Sequence, residues 1–352
     1  MRRACLSALL AGMVVVSSHS IAGAPAAQAS QASGPGAQAR AQAEAEDATL
    51  TRARSLLQNG QVREAELSVR QFLKEHPSSA GAHFLLGYVL FRKIQADASA
   101  MMDAAASDNA VRLPSIEENL KESLAEFTEG AKFHAPGAFD LKIVALDYIL
   151  LKDYADADKW LTKSLLWDAK DSEAWYYLGR TKYNENRFEE AVSAFQQCLK
   201  LDEKNVKAED NLGLAYQGLG RNDGATTAFK KAISWQKDTL NQNSGPFIDL
   251  GALLLEQNRA QEAVEYLVQG AAISPREARA HEHLGKAYER LEQLDKAQAE
   301  FEKAVGLSPQ SASLHYLLGR VYRKQGNVDK AKIEFDRSAE LRGNTSGGDP
   351  DR

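Results

Sequence analysis

Cysteine is nearly absent: Cys5 and Cys198 are the only two in 352 residues. Cys5 lies in a leader-like start, so a processed chain keeps one thiol and closes no internal disulfide even in an oxidising compartment. Packing alone must hold the fold. Excess charge is lacking too, with 43 Lys and Arg against 48 Asp and Glu, a balance of −5. That excludes nucleic-acid binding by bulk charge, which needs a clear basic excess. Beyond residue 24, no apolar run approaches the roughly 20 residues of a membrane-spanning helix. Catalytic patterns are missing as well: there is no nucleophile elbow or zinc-binding spacing, and Gly218-Leu219-Gly220 leaves a helical pattern, not the strand that a phosphate loop requires. His281 and His283 are the only close histidine pair, and residues two apart on a helix point different ways. The expectation is a chain that is not an enzyme, with no catalytic residue, metal or cofactor.

What is present begins with an export-like leader. Met1-Arg2-Arg3 is positive, residues 4–16 are uncharged and about as long as the apolar part of a signal peptide, and small residues follow at Ala22 and Ala24. We read residues 1–24 as a signal peptide, with a retained signal anchor as the lesser alternative. Its removal takes away Arg2 and Arg3 and moves the net charge from −5 to −7. The expected location is the periplasm or the outside of a bacterial cell. Residues 25–45, rich in Ala, Gln, Ser, Gly and Pro, read as a linker, and residues 346–352 as a disordered tail.

The body repeats. Leu-Gly pairs at Leu178-Gly179, Leu212-Gly213, Leu250-Gly251, Leu284-Gly285 and Leu318-Gly319 recur at spacings of 34, 38, 34 and 34. Twelve residues after each Gly stands an alanine (Ala191, Ala225, Ala263, Ala297, Ala331), and four further on a large apolar residue (Phe195, Phe229, Leu267, Phe301, Phe335). Pro275 and Pro309 close two units. The pattern resembles the tetratricopeptide repeat family, whose 34-residue unit carries Trp-x-x-Leu-Gly-x-x-Tyr, then Ala-x-x-x-Phe, then Pro. The resemblance implies an all-α, right-handed α-solenoid of about eight helix-turn-helix units: 46–79, 80–137 with an insert at about 94–117, 138–171, 172–205, 206–239, 244–277, 278–311 and 312–345. Residues three and four apart share a helix face, so each unit buries its stripe only against a neighbour. Cys198 falls at the packing position that holds Ala232 and Ala304, which marks it as a buried structural thiol.

In this family the first helix of each unit lines a concave groove, which implies a binding scaffold for a protein or peptide segment of unknown identity. The second to fourth units place Phe84, Tyr88, Phe91, Phe139, Ile143, Leu146, Ile149, Tyr176, Arg180 and Tyr183 there. Large apolar surfaces rich in aromatics and Arg mark partner sites, unless the insert or a neighbouring helix covers them as core. The same surface gives the alternative of a structural homo-oligomer packed through the groove. The last two units present Arg279, Lys286, Arg290, Arg320, Arg323 and Lys324, an expected grip for an acidic segment, or else a solvated face. The carboxylate clamp of chaperone-binding members is not matched: Leu146 stands where its first Asn would follow Lys142. Assembly of a cell-envelope complex is the finer expectation.

Overall fold

A computed structural model describes residues 48–104 and 114–346; the leader, the linker and the centre of the insert lie outside them. Among the described residues there are sixteen helices and no strand. They fall into two compact units that divide between Glu185 and Asn186. The first holds α1 (48–58), α2 (Val62–Glu75), α3 (Ala80–Ala104), α4 (Pro114–Gly130), α5 (Ala138–Leu151), α6 (Tyr154–Trp167) and α7 (Ser172–Asn184). The second holds α8 (Phe188–Leu201), α9 (Val206–Gly218), α10 (Asn222–Trp235), α11 (Gly245–Glu256), α12 (Ala260–Ile273), α13 (Ala278–Arg290), α14 (Leu294–Leu307), α15 (Ala312–Lys324) and α16 (Val328–Ser346).

Within each unit, helices pair through the Gly and Phe positions of the repeat. A methyl group on Gly87 would stand 2.6 Å from the Phe127 ring, and one on Gly213 would stand 2.5 Å from Phe229. Gly285 meets Phe301 and Gly319 meets Phe335 in the same way, at 2.8 and 2.9 Å. The aromatic ring of the second helix thus rests on the bare backbone of the first, and only glycine leaves that space. Phe229, Phe301 and Cys198 are fully buried.

The turn between paired helices has one left-handed residue at a fixed place. Gly60, Lys152, Asn186, Gly220, Asn258, Glu292 and Gly326 all have φ between 57° and 81°. From Lys152 onward these positions lie 34, 34, 38, 34 and 34 residues apart, the period of the Leu-Gly pairs. A left-handed residue ends a helix by satisfying its last carbonyls; here the Asp153 amide donates to the Tyr148 carbonyl at 2.9 Å.

A second recurrent link ties four of the first helices to the residue six before the bonding side chain. His83 Nε2 donates to the Pro77 carbonyl at 2.9 Å, while Nδ1 lies 2.6 Å from Glu126. His281 repeats this with Pro275 and Glu300, and His315 with Pro309 and Glu334. Trp175 Nε1 makes the corresponding bond to the Ala169 carbonyl at 2.9 Å. These histidines are fasteners between the first helix, the residue six before it and the paired second helix.

The first part of the insert is helical, because α3 runs unbroken from Ala80 to Ala104; residues 94–104 have Ala at four of eleven places and no Gly or Pro.

Candidate functional site

In the first unit the candidate face is built from α3, α5 and α7. Most of its expected apolar members are core. Phe91, Ile143 and Leu146 are fully buried, and Ile149 is 2% exposed. Phe84 is turned inward with its ring against Gly130, 6.1 Å from the Phe127 ring. These five residues cannot meet a partner, and the self-packing alternative loses the surface it required. The reason lies in α3 and α5 themselves. Ala-Phe-Asp-Leu-Lys-Ile-Val-Ala-Leu-Asp-Tyr-Ile-Leu-Leu is apolar nearly all round, and such a helix is packed on every side.

What stays accessible is smaller and aromatic. Phe139 is 40% exposed, and its ring meets the half-buried Tyr88 edge-on at 5.0 Å, joining α3 to α5. Arg92 Nη1 donates to the Tyr88 hydroxyl at 3.1 Å. The Lys142 ammonium lies 5.7 Å from the Phe139 ring centre and donates to Asp171 at 2.7 Å and Glu173 at 2.9 Å. Burial works against its charge, but the two carboxylates outweigh it and raise the Lys142 pKa. On α7, Tyr176 is buried beneath the Arg180 guanidinium, 5.8 Å from its ring centre. Arg180 and Tyr183 are half-buried, and Arg180 Nη1 is buried without a hydrogen bond.

In the second unit the basic set is already occupied. Arg279 Nη2 donates to Asp249 at 2.9 Å, and Lys286 to Glu282 at 2.5 Å. Arg290 donates to the Leu255 carbonyl. Arg320 and Lys324 both hold the buried Glu289, Arg320 through its Nε at 2.9 Å and Lys324 at 3.2 Å. Arg323 lies over the Phe335 ring at 5.5 Å. The expected grip for an acidic segment is therefore engaged internally: carboxylates on neighbouring first helices pair Arg279, Arg320 and Lys324, Lys286 finds Glu282 on its own helix, and Arg290 and Arg323 meet a carbonyl and a ring. Burial, aided by Lys286, pushes His283 down to about 4, so it is neutral.

Four buried carboxylates escaped the sequence reading: Glu209, which Lys231 holds at 2.9 Å, and Asp147, Asp210 and Asp249. Asp147 is fully buried; its Oδ2 lies 2.6 Å from Ser123 Oγ, which also donates to the Gly87 carbonyl at 3.0 Å. Asp210 and Asp249 are each 6% exposed, on α9 and α11. A lone acid inside Ile143-Val-Ala-Leu-Asp147-Tyr-Ile-Leu was a legible signal. Asp210 and Asp249 gave none, since an acid on a repeat helix reads as solvated.

No helix among the described residues is long and apolar enough to cross a membrane, and no group of three metal-ligating side chains occurs among them. Models of the tetratricopeptide repeat match residues 50–110, 172–205, 210–239, 248–312 and 284–346. A DnaJ homolog subfamily C member 7 homolog of Dictyostelium discoideum is 27% identical over 169 residues, 45% of this chain and 30% of that protein. The human PEX5-related protein is 29% identical over 117 residues, 33% of this chain and 16% of its own length. The chain thus spans less than a third of these curated relatives. Among solved structures, Cut9 with Hcn1 of the APC/C covers 85% of this chain and 53% of its own, at TM-score 0.56 and 17% identity. The type IV pilus biogenesis factor PilW covers 60% and 95%, at TM-score 0.52 and 20% identity. At those identities the likeness shows the fold alone. With the Gly and Phe contacts, the left-handed turns and the matched models covering well over half of its length, this chain belongs to the tetratricopeptide repeat family.

Proposed function

We propose that the protein is an exported, non-catalytic scaffold that seats a segment of a partner protein against the first helices of its first unit. Tetratricopeptide proteins are protein-interaction scaffolds, so the coarse class follows from the family. The observation that carries the finer reading is the Tyr88–Phe139 pair, an aromatic contact left at the surface of the first helices, where Phe84, Phe91, Ile143, Leu146 and Ile149 are buried. Aromatic anchors beside Arg, here Arg92 and Arg180, are the side chains that dominate protein interfaces. Export rests on the leader-like residues 1–24. Assembly of an envelope complex is the role that fits an exported scaffold.

The test is a cross-linking pull-down from the native envelope fraction with wild type and the double variant Tyr88→Ala plus Phe139→Ala. A protein enriched by wild type and depleted at least tenfold by the variant supports the reading. Equal enrichment by both removes the Tyr88–Phe139 face from it.

A further inference from the structure

We propose that Asp210 and Asp249 form a binding site for a cationic side chain, a lysine or arginine of a partner segment. Asp210 stands on α9 and Asp249 on α11, the first helices of successive repeats in the second unit. Both are more than nine-tenths buried. Asp249 has a cation, because its Oδ1 accepts from Arg279 Nη2 at 2.9 Å. Asp210 has none. Its Oδ2 lies at the start of α11, where a methyl group on Gly245 would come within 2.8 Å of it, and its Oδ1 is buried without a hydrogen bond.

Two desolvated carboxylates thus share one guanidinium, and an acceptor oxygen is left over. Burial lifts both carboxyls above their ordinary range; the charge of Asp249 adds to the effect at Asp210, and Arg279 offsets only part of it. A buried acceptor without a donor is costly, and a charge-assisted bond is the strongest remedy for it. A metal ion is a poor fit, since no third carboxylate, histidine or cysteine completes a ligand set among the described residues. A lysine ammonium or arginine guanidinium brings both the charge and the N–H donors. Arg279, the cation that reaches Asp249, has a side chain that is itself 47% exposed. This reverses the polarity expected from the sequence: the basic residues of these repeats are paired internally, and the unmet demand is acidic.

The inference rests on the reading of first-helix faces as partner-binding, but it concerns the second unit, so it stands or falls apart from the Tyr88–Phe139 pull-down. The test is fluorescence anisotropy of the full chain with labelled Gly-Ser decapeptides carrying one central Arg, Lys or Glu. The Arg or the Lys peptide is expected to bind at least tenfold more tightly than the Glu peptide, and Asp210→Asn, which keeps the side-chain shape, should erase that preference. Arg279→Gln frees the second carboxylate and should tighten cationic binding several-fold, a gain that misfolding cannot produce. Failure of both cationic peptides to outbind the Glu peptide, an unchanged preference in Asp210→Asn, or weaker cationic binding in Arg279→Gln would overturn the assignment.

Discussion

Asp147 shows how one proton can hold three helices. A serine hydroxyl has one hydrogen, yet Ser123 Oγ lies within bonding distance of both the Gly87 carbonyl and the Asp147 carboxyl. Both contacts are satisfied when Asp147 is the neutral acid, donating to Ser123, which then donates to Gly87. Complete burial raises the Asp147 pKa well above its ordinary value, and the single bond from Ser123 does not reverse this. A folded pKa above the unfolded one contributes stability that is full below the unfolded value and is lost as pH rises through the folded value. Urea unfolding should therefore show stability falling as pH rises above the ordinary carboxyl range. Asp147→Asn supplies the same donor without a charge and should flatten that decline. Asp147→Ala should cost about 2 kcal/mol at acidic pH, as expected for a buried polar group left unmatched, and progressively less as pH rises. Asp147 was readable in the sequence as a lone acid in an apolar run, but its partner Ser123 was not, since 24 residues separate them.

At the scale of the element, the repeat itself was legible because its period is written in residues that packing demands. Gly213 is one of them: alanine would favour the helix by about 1 kcal/mol, but its methyl would meet the Phe229 ring at 2.5 Å. Overpacking of this kind costs about 1–3 kcal/mol, so Gly213→Ala should destabilise on balance, and Phe229→Leu in the same chain should recover part of the loss. The left-handed turn positions give the opposite sign. Gly60, Gly220 and Gly326 suit them, whereas Lys152 and Glu292 hold φ of 63° and 57° at a steric cost. Lys152→Gly and Glu292→Gly should each raise stability by about 1 kcal/mol, read as a shift in the urea midpoint. The binding face was less legible. The three-and-four spacing finds one face of a helix, but α5 is apolar on every side, so the spacing could not separate Phe139 at the surface from Ile143 and Leu146 inside. The basic stripe misled for a related reason: Arg279 and Arg320 find their acids on neighbouring helices 30 and 31 residues away, which one helix read alone does not show.

For the whole molecule, the small net charge of −5 leaves no bulk field to draw a charged partner, and as a tetratricopeptide repeat protein the chain belongs to a family of protein-interaction scaffolds. Each unit places charge and aromatic groups on its first helices: Tyr88 and Phe139 in one, Asp210 and Asp249 in the other. Repeat arrays present such groups on a series of similar helices, and affinity comes from a few anchors along the series. The central claim is that a partner lies against the first helices of the first unit. A photo-reactive benzoylphenylalanine placed at position 139 tests it in intact cells, with position 67 on α2 as control, because Leu67 is 63% exposed and Phe139 is 40% exposed. The account predicts a discrete cross-linked partner from position 139 and none from position 67. The same adducts from both positions, or adducts from position 67 alone, would contradict it.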